Sequence, residues 1–322
     1  RSLVRLIGPA DQWALPLRAR ISAQPAHVYR RTVALELAGD RQLAEQLLQL
    51  AAAGDGAAGL AVQGAGDPAA PVDLRVVSSG GGMYILDGNY RELLALPRPH
   101  PSPAPAIMAA LESIARHQRL ATLSNQAPSR VSGALRLSLW QVLVDAGGFR
   151  AAPLGPGAIN PAGEICLPFD ERRPESNLYG IELYNQSPVG VYPHVFVLGA
   201  DYSVSRLYPA FGQEELLEPG HTLAPHRDRF GGGCLEIYLP DGVDFQRDLI
   251  KVIATTEPGD FGWLEQDPAL GQSPRRAEDW SSASLNGLIG GASGGRGGAG
   301  LGGDWGSVEL GFGVVRAGGA GD

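Results

Sequence analysis

The sequence predicts an α+β unit followed by a mainly β, sandwich-like region. Three observations carry this. The first hundred residues mix helical and strand periodicities. A proline-rich stretch and one long amphipathic helix come next. From about residue 129 the chain becomes a succession of short apolar runs separated by Pro, Gly, Asn and Asp. With 322 residues, of which 44% are hydrophobic, the chain can build more than one core, and global disorder is excluded. The expected division is an α+β unit over 1–96, a linker and helix over 97–128, and a β-sandwich-like domain over 129–322.

In the first unit, "LPLRARIS" (15–22) alternates as a strand does. "DRQLAEQLLQLAAA" reads as a helix with Asp40 as N-cap and Leu43, Leu47 and Leu50 at helical spacing. "GLAVQG" and "VDLRVV" read as short strands with "GDPAAP" as a turn between them, and "SSGGGMYILDG" continues as a hairpin through Met83 to Leu86. "PRPHPSPAP" (97–105) predicts a stiff linker, because proline fixes φ and removes a backbone donor. In the helix that follows, Ile107, Leu111, Ile114 and Ala115 form one apolar face, Leu120 and Leu123 extend it, and Asn125 and Pro128 end it.

"ALRLSLWQVLV", "GEICLPF", "NLYGIELYN", "VYPHVFVL", "YSVSRLYP", "CLEIYLP" and "DLIKVIATT" predict the strands of the β region. In "NQSPVGVYPHVFVLGADYSVSRLYP" (185–209), Tyr192, His194, Phe196 and Leu198 share one strand face, and Val195 and Val197 share the other. Both faces are largely apolar, as in a strand covered on both sides. Near the end, "DWSSASLNGLI" (279–289) and "DWGSVELGFGVV" (304–315) read as two strands joined through "GGASGGRGGAGLGG" (290–303). That tract is either a mobile loop or a low-complexity insertion.

The net charge of −8, with no dense basic cluster, excludes nucleic acid as the main partner. No apolar run reaches the roughly 18 residues a membrane helix needs, so no membrane partner is expected. Lys251 is the only lysine. Cys166 and Cys234 form no C-x-x-C pair, so neither a zinc site nor a redox motif is indicated, and a reducing cytoplasm is the expected location.

No catalytic residue and no metal ligand emerges from the chemistry-bearing residues. Cys166 and Cys234 lie in apolar strand text, where a thiol behaves as a small hydrophobe. His27, His100, His117, His194, His221 and His226 form no H-E-x-x-H or H-x-H pattern, although His221 and His226 share one loop. "SSGGGMY" and "RFGGGC" lack the spacing of a phosphate-binding loop, and there is no G-x-S-x-G elbow. Glu214, Glu215 and Glu218 read as a solvated edge. No cofactor is implied. Asn185, Gln186, Asp201 and Tyr202 beside the hairpin are exposed groups that could contact a partner, with turn chemistry an equal account of Asn185 and Asp201.

"LESIARHQRLATLSN" (111–125), "NLYGIELYNQSP" (177–188), "VFVLGADYSVSRLYP" (195–209), "DLIKVIATTEPGDFGWLEQ" (248–266) and "DWGSVELGFGVVR" (304–316) occur in one order. Together they resemble the region that follows the peptidase domain in bacterial and fungal caspase-like proteins, relatives of metacaspases and orthocaspases. The resemblance spans about two thirds of the chain. It implies a caspase-fold cysteine peptidase as partner, on the same polypeptide or as a separate chain, together with protein substrates or regulators. That peptidase would use a His/Cys dyad. This sequence has no His-Gly pair and neither cysteine has the expected preceding residues, so no catalytic residue carries over.

The resemblance therefore implies a non-catalytic regulatory or recognition portion of a cysteine endopeptidase, in a stress, cell-death or anti-phage setting. The start at Arg1 rather than Met fits either an expression boundary or the C-terminal product of zymogen cleavage. The alternatives are a stand-alone β-sandwich module binding protein or carbohydrate, and an enzyme using Cys166 or Cys234. The scattered positions of Trp13, Trp140, Trp263, Trp280 and Trp305 count against a carbohydrate platform.

Overall fold

The computed structural model describes residues 31–317 except 38, 54–59, 65–70, 97–101, 126, 146–147, 156–157, 161, 210–213, 226–233 and 270–302. The expected strand over 15–22, the segment 279–289, nearly all of the 290–303 tract, and His27, His100 and His226 lie outside the described residues. The described chain is mostly strand, in three sheets, with two α-helices. None of its helices is long and apolar enough to cross a membrane.

The first sheet contains β1 (Arg31–Glu36), β2 (Leu60–Gln63), β3 (Leu74–Ser79), β4 (Gly82–Asp87) and β5 (Glu92–Leu96), in the order β2-β1-β3-β4-β5. β1 runs parallel to both β2 and β3, and helix α1 (Arg41–Ala53) carries the chain from β1 to β2. A parallel pair needs such a crossover. β3, β4 and β5 then pair antiparallel through short turns. Asp40 caps α1 as expected, its Oδ1 accepting the Leu43 amide at 3.1 Å. Leu43 and Leu47 are buried, but Leu50 is exposed, because it points off the face that meets the sheet.

Helix α2 (Pro103–Thr122) fills the rest of this core: Ile107, Leu111 and Ile114 pack with Val33, Leu74 and Ile85. Its first turn contains Pro103 and Pro105, so the end of the expected linker is helical. Proline is tolerated there because the first amides of a helix have no intrahelical acceptor to lose.

The second sheet runs β11 (Val204–Tyr208), β10 (Tyr192–Leu198), β14 (Phe245–Thr255), β15 (Trp305–Arg316), β8 (Ile165–Phe169). The third runs β12 (Thr222–Leu223), β9 (Leu178–Asn185), β6 (Leu135–Asp145), β7 (Gly148–Ala152), with β13 (Cys234–Glu236) also on β9. Both sheets feed one core. Leu135, Leu139, Ile181 and Leu183 from the third sheet meet Val195, Ile250, Val252 and Phe312 from the second.

The other side of the second sheet has its own cover. Phe196, Leu198, Ile253 and Trp305 pack with Leu120 and Leu123 from the end of α2 and with Phe261 and Leu264. β10 is thus covered on both sides, as its doubly apolar sequence requires.

A candidate binding cleft framed by two tyrosines

Two hairpin tips share one backbone design. In the β4–β5 turn the Asp87 amide donates to Arg91 O at 2.8 Å and the Tyr90 amide to Asp87 O at 3.1 Å. In the β10–β11 turn the Gly199 amide donates to Ser203 O at 3.0 Å and the Tyr202 amide to Gly199 O at 3.0 Å. Each tip carries an aspartate that orders it. Asp87 Oδ1 accepts the Asn89 and Arg91 amides, and Asp201 Oδ1 accepts the Ser203 amide.

At the same place in each turn stands a tyrosine with left-handed backbone: Tyr90 at φ 64° and Tyr202 at φ 66°. They are the two non-glycine residues at positive φ among the described residues. Glycine is the low-cost residue in this position, and an L side chain costs roughly 1–2 kcal/mol there. Backbone strain of this kind concentrates at functional sites.

Both tyrosines line one open cleft of about 920 Å³. One wall is the end of the first sheet, where Arg31 and Arg75 stand beside Asp73. Arg75 is almost fully buried, pairs with Glu36, donates from Nε to Gly88 O at 3.4 Å, and lies 4.2 Å beneath the Tyr90 ring. The Tyr90 hydroxyl reaches Glu36 Oε1 at 3.2 Å. Arg31 Nη1 meets Asp73 Oδ1 at 2.8 Å, and Asp73 Oδ2 accepts the Thr32 amide at 2.7 Å. Gly88 makes the wall possible: a Cβ there would lie 2.2 Å from Val72 O, so only glycine allows this turn so close to the 71–73 segment.

The opposite wall is the C-terminal half of α2, with His117, Gln118 and Thr122. The His117 ring meets the Tyr202 ring edge-on at 5.2 Å. Burial pushes the His117 pKa down, against the Gly199 carbonyl and the Asp201 charge, which favours the neutral imidazole. Its Nε2 is buried with no hydrogen-bond partner among the described residues. Burial also pushes the Tyr202 phenol up, with the charges of Arg91 and Asp87 both within reach of it. Gln266 Nε2 fixes the hairpin to the helix, donating to Ser113 O at 3.1 Å and to Tyr202 O.

The residues singled out from the sequence have diverse fates. Tyr202 reaches the cleft and Asp201 orders its turn. Asn185 is fully buried rather than exposed: its Nδ2 donates to Val189 O and Leu217 O at 2.9 Å each, and its Oδ1 accepts from Ser187. Gln186 is exposed and accepts from Arg136 Nε at 3.0 Å. Glu215 and Glu218 are exposed, but Glu214 turns inward, its Oε2 accepting the Gly259 amide at 3.0 Å and its Oε1 lying 3.9 Å from His194 Nε2.

Both cysteines are free thiols. Cys166 lies beside Arg247 and Gly313 in a separate pocket of about 310 Å³ whose described lining includes no histidine. Burial pushes the Cys234 thiol up, away from the reactive thiolate. No group of three or more His, Cys, Asp or Glu suited to a metal ion occurs among the described residues.

Reading by local motif misses the cleft, whose residues come from five separate stretches of chain. The one local signal is the pair Asn89-Tyr90 and Asp201-Tyr202, an Asn or Asp before a tyrosine at a hairpin tip. No protein-family model, no curated protein and no solved structure matches this chain.

Proposed function

We propose that this chain is a non-catalytic recognition or regulatory region whose second and third sheets form a β-sandwich, and that it serves a caspase-fold cysteine peptidase. The observation that carries the recognition role is the cleft. Two strained tyrosines from hairpins in different sheets flank it, and such loop-borne aromatics are typical of contact surfaces. The shared core of the two sheets supports the sandwich reading.

Four of the five segments that carry the caspase-like resemblance meet in one place, through Leu120 and Leu123, Phe196 and Val204, Ile253 and Phe261, and Trp305. Their common order in sequence therefore corresponds to one packed structure, which supports treating them as a single module. The free thiols fit a reducing cytoplasm.

The test has two parts. The purified chain is assayed for peptide hydrolysis and for alkylation of Cys166 and Cys234 at neutral pH. It is then added to a purified caspase-fold peptidase, and the hydrolysis rate is followed. The expected result is no hydrolysis by the chain alone, slow alkylation, and a saturable change in the rate of the peptidase. Hydrolysis by the chain that is lost on Cys166→Ser or Cys234→Ser would overturn the non-catalytic reading. A peptidase rate indifferent to the chain would remove the caspase-like partner.

A further inference from the structure

We infer that a second pocket, on the outer face of the second sheet, binds a small, flat, uncharged molecule of two fused rings over the backbones of Gly311 and Gly313. The site is separate from the cleft between the tyrosines, and nothing in it depends on a peptidase partner.

Register builds this pocket. Phe312 and Val314 face the core shared with the third sheet, so Gly311 and Gly313 face the other way. Leu249 stands opposite Gly311, and Gly313 lies between Arg247 and Cys166. In the next row, Lys251 and Glu309 join the end of α2 through the Ala121 carbonyl. Leu249 still packs against the cluster that Leu120 and Leu123 enter, whereas Phe245, at the far side of the glycines, is half exposed.

Two missing side chains leave the depression. A Cβ on Gly313 would fall 2.6 Å from the Phe245 ring, so the diagonal aromatic already roofs that glycine. A Cβ on Gly311 would meet nothing within 4 Å. The resulting space, about 310 Å³, has a floor of strand backbone and is bordered by Phe245, Ile165 and Cys166.

Size, shape and charge give the ligand class. An apolar cavity of roughly 150 Å³ takes one benzene ring, so about twice that volume admits two fused rings. No side chain stands on the glycine floor, and one border is an aromatic ring. Both favour a flat molecule, which keeps contact across its whole face, over a puckered one. The charged lining groups are already answered. Arg247 Nη2 donates to Glu164 Oε1 at 2.9 Å and to Oε2 at 3.0 Å, and Asp248 accepts from the Ala200 amide and from Gln246 Nε2. A charged ligand would meet no unpaired counter-charge in this lining, whereas apolar area laid against Phe245 and Ile165 is stabilising.

The probe is naphthol, which is flat, fluorescent and uncharged at neutral pH, with decahydronaphthol as its puckered counterpart. Naphthol emission is followed as the full chain is added. Alkylation of Cys166 and Cys234 is then timed by peptide mass spectrometry, with and without the probe. Binding is expected to saturate. Cys166 should react about fivefold more slowly when the probe is at about four times its dissociation constant, with Cys234 unchanged. Decahydronaphthol should compete about tenfold more weakly. Gly311→Ala should weaken naphthol several-fold and Gly311→Val should abolish it. The urea midpoint should hold or rise, because the added groups enter open space on a strand.

No saturable binding, equal slowing of both thiols, or equal affinity for the flat and puckered molecules would overturn the inference. So would full binding by a folded Gly311→Val chain. If that variant lowers the urea midpoint, Gly311→Ala makes the same test with a smaller group. If Cys166 resists alkylation even without the probe, the emission titrations of the Gly311 variants decide alone.

Discussion

Lys251 Nζ donates to Ala121 O at 3.2 Å, so the one lysine of the chain, rising from the middle of β14, caps the last turn of α2. The same ammonium meets Glu309 Oε2 on the neighbouring strand at 2.8 Å. A cation at a helix C-terminus answers both the unpaired carbonyls and the negative end of the helix dipole. The side chain is buried, and its partners hold it there.

Replacing Lys251 with Met therefore leaves the Ala121 carbonyl without its donor and loosens the helix from the sheet. Glu309 is half exposed and can turn to water, so the loss falls mainly on the helix end. The expected cost is about 2 kcal/mol, read as a lower urea midpoint with the slope unchanged.

Asn185 is the second structural polar group. Its amide bridges Val189 O and Leu217 O, and its carbonyl holds the Ser187 amide and hydroxyl, so a single side chain shapes the turn before β10. Asn185→Ala leaves the Ser187 amide without its acceptor and leaves each carbonyl one donor, Ser187 Oγ for Val189 O and the Val191 amide for Leu217 O, and should cost about 1–3 kcal/mol in the same unfolding experiment. Gln186→Ala next to it, on the exposed side, should cost under about 0.5 kcal/mol.

Two titrating groups, His194 buried and Asp248 half-buried, oppose each other in acid. His194 is held to a pKa of about 4, first by burial and then by the Arg206 charge, with Asp260 countering; Glu214 and Phe261 also flank it. The unfolded imidazole takes a proton near 6.5, so this group removes stability as pH falls from there to about 4. Asp248 is pushed up to about 6 by burial, despite bonds from the Ala200 amide and Gln246. Its folded form holds a proton that the unfolded form gives up near 3.8, so it removes stability as pH rises through about 6.

Over the shared window, about pH 4 to 6, the two slopes have opposite sign, each near 1.4 kcal/mol per pH unit at most. The wild type should thus show a shallow profile there. Asp248→Asn should steepen the loss on acidification, and His194→Gln should reverse the slope. Parallel profiles for all three proteins would refute this account.

Gly88 sets the distance between the β4–β5 tip and the 71–73 segment. Gly88→Ala places a methyl group against the Val72 carbonyl, and the turn must retreat. Stability should fall by about 1–3 kcal/mol, and Tyr90 should leave Arg75, a change that tyrosine fluorescence or ring NMR shifts would register.

Much of this fold is legible in the sequence where a periodicity has a single buried face. Ile107, Leu111, Ile114 and Ala115 recur at helical spacing because α2 presents one stripe to the first sheet. β6 and β9 alternate for the same reason, whereas β10 and β14 run apolar because a core lies on each of their sides. β1 and β5 escape notice. "RTVALE" is short with charged ends, and "ELLAL" has helix-favouring residues; the pairing of each comes from neighbours, not from its own propensity.

Asn185 reads as a turn residue and Glu214 as a solvated one, since burial of a polar side chain depends on remote carbonyls and amides. The cleft is less legible still. Arg31, Arg75, Tyr90, His117 and Tyr202 meet only after the sheet, the helix and the hairpin are assembled.

Helix α2 divides its apolar stripe between two cores, Ile107 to Ala115 facing the first sheet and Leu120 and Leu123 facing the second. No single cut point in the sequence separates the two halves of the molecule. A fragment ending before the helix leaves the first sheet with α1 alone as its helical cover, and one beginning after it bares part of Phe196 and Ile253. Evolutionary shuffling or laboratory dissection of this chain must therefore carry the helix along with either half, and the half left behind needs a substitute.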